Sequence, residues 1–148
     1  MSGESLTLAM AQAIIAGALA GPRTAPDKPV AVAVCDSGGH PLALAREDGA
    51  PPLLAHIAQA KAFTCVAYGR TPTALEPVAA EWPIWFEGIS KVATQRMGSP
   101  LIASKGAQVI RDAAGCVLGA VGIAGETGAR DDELARLGLD AAGFTPDP

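Results

Sequence analysis

The sequence is short of basic clusters, paired cysteines, histidines and aromatic residues, and each shortage removes a class of function. Lys and Arg number 11 against 15 Asp and Glu, for a formal net charge of -4. No run of basic residues occurs, so the chain lacks the electrostatic footprint of a DNA- or RNA-binding protein. The three cysteines, Cys35, Cys65 and Cys116, are odd in number and form no CxxC pair. They read as free thiols, used as small hydrophobes in a reducing cytosol. Only two histidines are present, His40 and His56, and no HxxxH or HExxH spacing exists. No metal site is expected from them. Walker and GxSxG patterns are also absent, which excludes a phosphate-cradling loop and a serine nucleophile elbow. No apolar run reaches membrane-spanning length. Leu6 to Ala20 has the hydropathy of a signal-peptide core but no basic flank, since Glu4 is the only charge before Arg23. It reads as an amphipathic helix, and a cytoplasmic location is expected.

What is present is a globular composition, 49% hydrophobic and 18% charged, of a length that fits one domain over residues 1–148. Ser5 or Thr7 can cap the first helix, which Gly21-Pro22 stops. After a loop from Arg23 to Pro29, Val30, Val32 and Val34 alternate with alanines, as in a strand with one bulky and one small face. Asp36-Ser37-Gly38-Gly39-His40 is a turn, and Pro41 to Arg46 reads as the returning strand of a hairpin. A second helix is predicted from Leu53 to Tyr68, closed by Gly69. Thr71 to Ser99 reads as irregular, with a short helix over Thr73 to Glu81. Strands are predicted at Pro100 to Ala103, Ala107 to Arg111 and Cys116 to Ala124. A last helix carries Asp131, Asp132 and Glu133 in its first turn, where the helix dipole favours negative charge. Strands joined by short turns imply an α+β fold with an antiparallel sheet.

Several of these segments together resemble one family. They are Val32-Ala-Val-Cys-Asp36-Ser-Gly-Gly-His-Pro-Leu, Ala45-Arg-Glu-Asp-Gly-Ala50, Ile57-Ala-Gln-Ala-Lys61-Ala-Phe-Thr64, and Val117-Leu-Gly-Ala-Val-Gly-Ile-Ala-Gly-Glu-Thr127 followed by Asp131-Asp-Glu-Leu-Ala135. In order and spacing they are similar to the GlcG/HbpS-like family, which includes the C-terminal domain of PduO-type proteins. The resemblance covers about residues 6–144. It implies a profilin-like fold with a five-stranded antiparallel sheet flanked by helices. It also implies a homodimer or larger homo-oligomer and, for some members, haem binding. Two places depart from the family pattern: Glu126 stands where a small residue is usual, and Glu81-Trp-Pro-Ile-Trp-Phe-Glu87 replaces a glycine-rich segment.

The few aromatics are concentrated. Phe63, Tyr68, Trp82, Trp85 and Phe86 are five of the six in the chain. Such a cluster lines a ligand pocket, fills a core or forms a subunit interface; Phe63, Trp82, Trp85 and Phe86 are the candidate ligand contacts. Gly125 and Thr127, in the loop Gly122 to Gly128, are candidates at the pocket edge. His56 shares a helix face with Gln59 and Phe63, whereas His40 reads as a solvated turn residue. Glu87 and Glu126 are flanked by apolar or glycine-rich sequence, which suggests burial and a raised pKa. With His56 they form a candidate proton-transfer set.

Three functions follow. The first is a small enzyme, of cofactor-independent lyase, isomerase or hydrolase type, using Glu87, Glu126 and His56 on a small hydrophobic or aromatic metabolite. The second, implied by the resemblance, is a haem- or tetrapyrrole-binding module. The third is a non-catalytic oligomeric accessory protein. The residues themselves require no cofactor; haem enters through the resemblance and through His56 as an axial nitrogen.

Overall fold

The computed structural model describes residues 4–25 and 28–148. The expected loop Arg23 to Pro29 therefore includes two positions, 26 and 27, outside the described residues. Helix α1 (Leu8–Leu19) begins where Thr7 accepts a hydrogen bond from the Met10 N–H at 3.1 Å, which settles the choice of cap. Strands β1 (Ala31–Asp36) and β2 (Pro41–Arg46) form the expected hairpin. Helix α2 (Pro52–Tyr68) follows and ends at Gly69 in the left-handed conformation. Strands β3 (Ala107–Arg111) and β4 (Val117–Ala124) precede the last helix, α5 (Gly128–Ala141). The sheet order is β2-β1-β4-β3, antiparallel throughout.

The alternation read in the sequence sorts the two faces of the sheet. Val30, Val32 and Val34 join Val121 and Ile123 under α1 and α5, packed against Ile14, Leu134 and Leu139. On the other face Ala31, Ala33, Ala120 and Ala124 meet α2 through Ala58 and Ala62. Small residues there let the α2 backbone lie almost on the strands. Among the described residues no helix is long and apolar enough to cross a membrane.

Two expectations are corrected. Among the described residues the sheet has four strands rather than five, because Pro100 to Ala103 is not a strand. Its amides are used elsewhere: the Leu101 N–H donates to Ser90 Oγ at 3.1 Å and the Ile102 N–H to Thr64 Oγ1 at 3.0 Å. With those two N–H groups taken by helix side chains, and none on Pro100, little of the segment is left to pair in a ladder. The second correction concerns Thr71 to Ser99, which is mostly helical: α3 (Pro72–Glu81) and α4 (Pro83–Met97). Pro83 stands at the first turn of α4, where a missing N–H costs nothing, and Gly98 closes that helix at φ 81°.

Candidate ligand-binding cleft

A cleft of about 360 Å³ opens between the β1–β2 hairpin, α2 and the segment that leaves α4. Its size suits a small organic ligand. The hairpin wall is built by Asp36, whose Oδ1 accepts the N–H groups of Gly38 (2.9 Å) and His40 (3.0 Å). That arrangement folds the turn back on itself. Gly39, at φ 81°, rests directly on the Phe63 ring: a β-carbon there would stand 2.9 Å from Phe63 Cδ2. The turn can therefore dock on α2 only with glycine at this position. His56, Gln59 and Phe63 supply the α2 wall, as their shared helix face predicts. Met97 and Ser99 close the third side.

The chemistry of this lining is specific. It offers two imidazoles, an amide, a hydroxyl, a thioether and the Cys35 thiol, and no lining residue carries a carboxylate, an amine or a guanidinium. Burial pushes the Cys35 thiol up to about 11, so it faces the cleft protonated. Burial also pushes the Cys65 thiol, deeper under α2, upward. Among the described residues no group of three His, Cys, Asp or Glu side chains is placed to hold a metal ion.

The other candidates fall outside the cleft. Glu87 is exposed on α4. Glu126 accepts from the Thr24 N–H (2.7 Å), the Thr24 hydroxyl (2.7 Å) and the Thr127 N–H (3.1 Å). Desolvation pushes its carboxyl up, but the bonds from Thr24 and Thr127, with Lys28 nearby, outweigh this and hold it below the usual range. The expected burial is thus corrected for Glu87, and the expected raised pKa for Glu126. Glu87 is solvated, and Glu126 is a tie between the loops that follow α1 and β4. Gly125 approaches the Pro29 backbone, where a β-carbon would meet the carbonyl oxygen at 2.5 Å. Thr127 caps α5 by accepting from the Arg130 N–H.

The aromatic cluster divides three ways. Phe63 lines the cleft, while its other neighbours, Phe86 and Tyr68 among them, form a small core with Ala93 and Leu101. Trp82 and Trp85, 59% and 49% exposed, make a separate apolar patch with Val78. His40 is a solvated turn residue, as its place after Gly38-Gly39 predicts, with its side chain 81% exposed, and the turn also borders the cleft.

A buried ion pair also escaped the sequence reading. Lys61 Nζ donates to the Ile123 carbonyl (2.8 Å) and to Asp131 Oδ2 (3.2 Å), and Asp131 Oδ1 accepts from the Glu126 N–H at 3.0 Å. Lys61 and Asp131 are 4% and 2% exposed. The pair fastens α2 to the start of α5 and so holds the back of the cleft wall.

The sequence model of a family described as "Haem degrading protein HbpS-like" matches residues 6–140. The chain belongs to this HbpS-like family. Protein GlcG of Escherichia coli is 38% identical to it over 96 residues, which is 64% of this chain and 63% of GlcG. The alignment thus spans somewhat under two thirds of that relative. Among solved structures, a double mutant of Streptomyces reticuli HbpS superposes with a TM-score of 0.76 at 27% identity, covering 97% of this chain and 90% of HbpS. A complex described as PduOC with haem superposes with a TM-score of 0.74 at 18% identity, covering 98% of this chain and all of that one. At that identity the second likeness speaks for the fold alone.

Proposed function

We propose that this HbpS-like protein binds a flat, largely apolar small molecule, with haem as the ligand, in the cleft between α2 and the hairpin. The observation that carries the reading is the convergence of both histidines of the chain on one cleft walled by Phe63 and small residues. Two imidazoles and a thioether are donors that iron porphyrins accept, and Phe63 offers an apolar face to a planar ring. The residues fit the group. Bound haem supplies a redox-active iron; the chain's own part is to hold the ring against Phe63 and to present a nitrogen. The family description supports the same choice. The acid–base reading finds no such convergence, because Glu87 and Glu126 lie outside the cleft that holds His56.

A reducing, cytoplasmic setting is part of the proposal, consistent with the buried free thiols of Cys35 and Cys65. So is self-association. Trp82, Ile84, Trp85, Val92 and Met97 are all large, apolar and exposed within one stretch of sixteen residues, 82 to 97, more apolar surface than isolated exposed residues provide.

The test is a haemin titration followed by absorbance, with Gln59→Trp as a variant that fills the cleft. Gln59 is only half-buried on α2, so the variant should fold. The expected result is a saturable Soret shift at one haemin per chain, abolished in Gln59→Trp. No saturable shift, or an equal shift in the filled variant, would overturn the proposal.

A further inference from the structure

We infer that His40, oriented by Asp36, is the side chain that donates nitrogen to the metal of the cleft ligand, and that His56 is not. This rests on the haem reading above and names the residue that makes it specific.

Both histidines border the cleft, but they are held differently. His40 Nδ1 lies 3.4 Å from Asp36 Oδ1. Its ring also lies over Gly38, where a β-carbon would come within 2.9 Å of Nδ1 and Cε1. Asp36 is itself fixed, because the same oxygen accepts the Gly38 and His40 amides. A carboxylate beside Nδ1 favours the tautomer with its proton on Nδ1, which leaves the lone pair on Nε2. Carboxylate, imidazole and metal in sequence is the usual arrangement of a ligating histidine, and the outer carboxylate raises the basicity of the ligating nitrogen. The His40 side chain is 81% exposed, so the ring is open to a ligand. The turn in turn is seated on Phe63 through Gly39, which ties the position of the imidazole to the apolar wall. His56 is exposed on α2 and has no side-chain partner among the described residues to select its tautomer. The step itself is a lone-pair donation from Nε2 with no change of oxidation state, the proton staying on Nδ1 beside the Asp36 carboxylate.

The experiment is a set of haemin titrations of the full chain, read by the Soret and visible bands and by electron paramagnetic resonance. Circular dichroism checks that each variant folds. His40→Ala should lose the histidine-ligated spectrum, and free imidazole should restore it; His56→Ala should keep it. Asp36→Asn retains an oxygen acceptor for the Gly38 and His40 amides but removes the charge. It should keep the fold, weaken haemin binding by about 10–100-fold and shift the spectrum of what remains bound. If wild type binds and His56→Ala rather than His40→Ala loses the ligated spectrum, the inference fails while the haem reading stands. If Asp36→Asn leaves both affinity and spectrum unchanged, the orienting role fails. If wild type gives no saturable shift, the haem reading fails and takes this inference with it.

Discussion

Replacing Lys61 by methionine is expected to destabilise the fold by about 3–5 kcal/mol, the usual cost of breaking a buried ion pair from one side. Methionine fills much of the lysine volume but leaves the Asp131 carboxylate and the Ile123 carbonyl in the core without their cation. In this chain length such a loss lowers the melting temperature by roughly 10 °C or more. Adding Asp131→Asn to Lys61→Met should recover part of it. The buried charge is then gone, and the amide oxygen can still accept the Glu126 N–H that Asp131 Oδ1 accepts now.

The pH dependence separates this electrostatic cause from a packing defect. Burial pushes the Asp131 carboxyl up, and Lys61 pulls it partly back, for a net upward displacement. A carboxyl raised in the folded state takes its proton before the unfolded chain does. Its contribution therefore favours the fold at low pH and is lost as pH rises through the folded value. Without Lys61 the carboxyl rises further. The deficit of Lys61→Met should be deepest at neutral pH and shrink on acidification, as followed by urea unfolding at several pH values. A deficit that is the same at every pH would point to lost packing instead.

Gly122→Ala is expected to have the second largest effect. A β-carbon at 122 would stand 2.1 Å from the Ala58 carbonyl oxygen and 2.7 Å from the Ala62 nitrogen. Both are α2 backbone atoms that cannot rotate away, so the helix must lift off β4. Forcing one methyl into a packed contact costs about 1–3 kcal/mol, and a backbone obstacle places this site at the upper end. Because α2 carries His56, Gln59 and Phe63, the lift should also weaken haemin binding. Gly88→Ala on α4 is the control. Its β-carbon would meet nothing within 4 Å, and an exposed helix interior gains up to about 1 kcal/mol from the change. Thermal melts and titrations of the two variants side by side should therefore diverge in sign.

These two positions also mark what the sequence made legible and what it did not. The alternation of valine and alanine through Val30 to Val34 encodes both sheet faces, and the small face foretells a close α2. The shared face of His56, Gln59 and Phe63 was equally readable, since helical spacing alone puts them on one wall. His40 was not. A Gly-Gly-His tip is a turn in any fold, and only the docking of Gly39 on Phe63 brings it to the cleft. Lys61 left a signal, standing on α2 at three and four residues from the buried Ala58 and Cys65, but its partner lies 70 residues away. Glu126 misled because glycine-rich flanks suggest burial, whereas its oxygens are satisfied by Thr24 across 102 residues. The Pro100 to Ala103 segment has strand composition, and its amides were diverted by Ser90 and Thr64, hydroxyls on two helices. For α4 the signals were present, with proline at the first turn and glycine at the end. The bulky aromatic residues between them follow no clear helical period.

The most direct test of the cleft as the ligand site is an amide chemical-shift map of the protein titrated with diamagnetic zinc protoporphyrin. The predicted perturbations centre on Ala33 to Pro41, His56 to Phe63 and Met97 to Pro100, the three walls of one cleft. Perturbations centred instead on Val78, Trp82 and Trp85 would place the ligand on the exposed tryptophan patch and contradict the assignment.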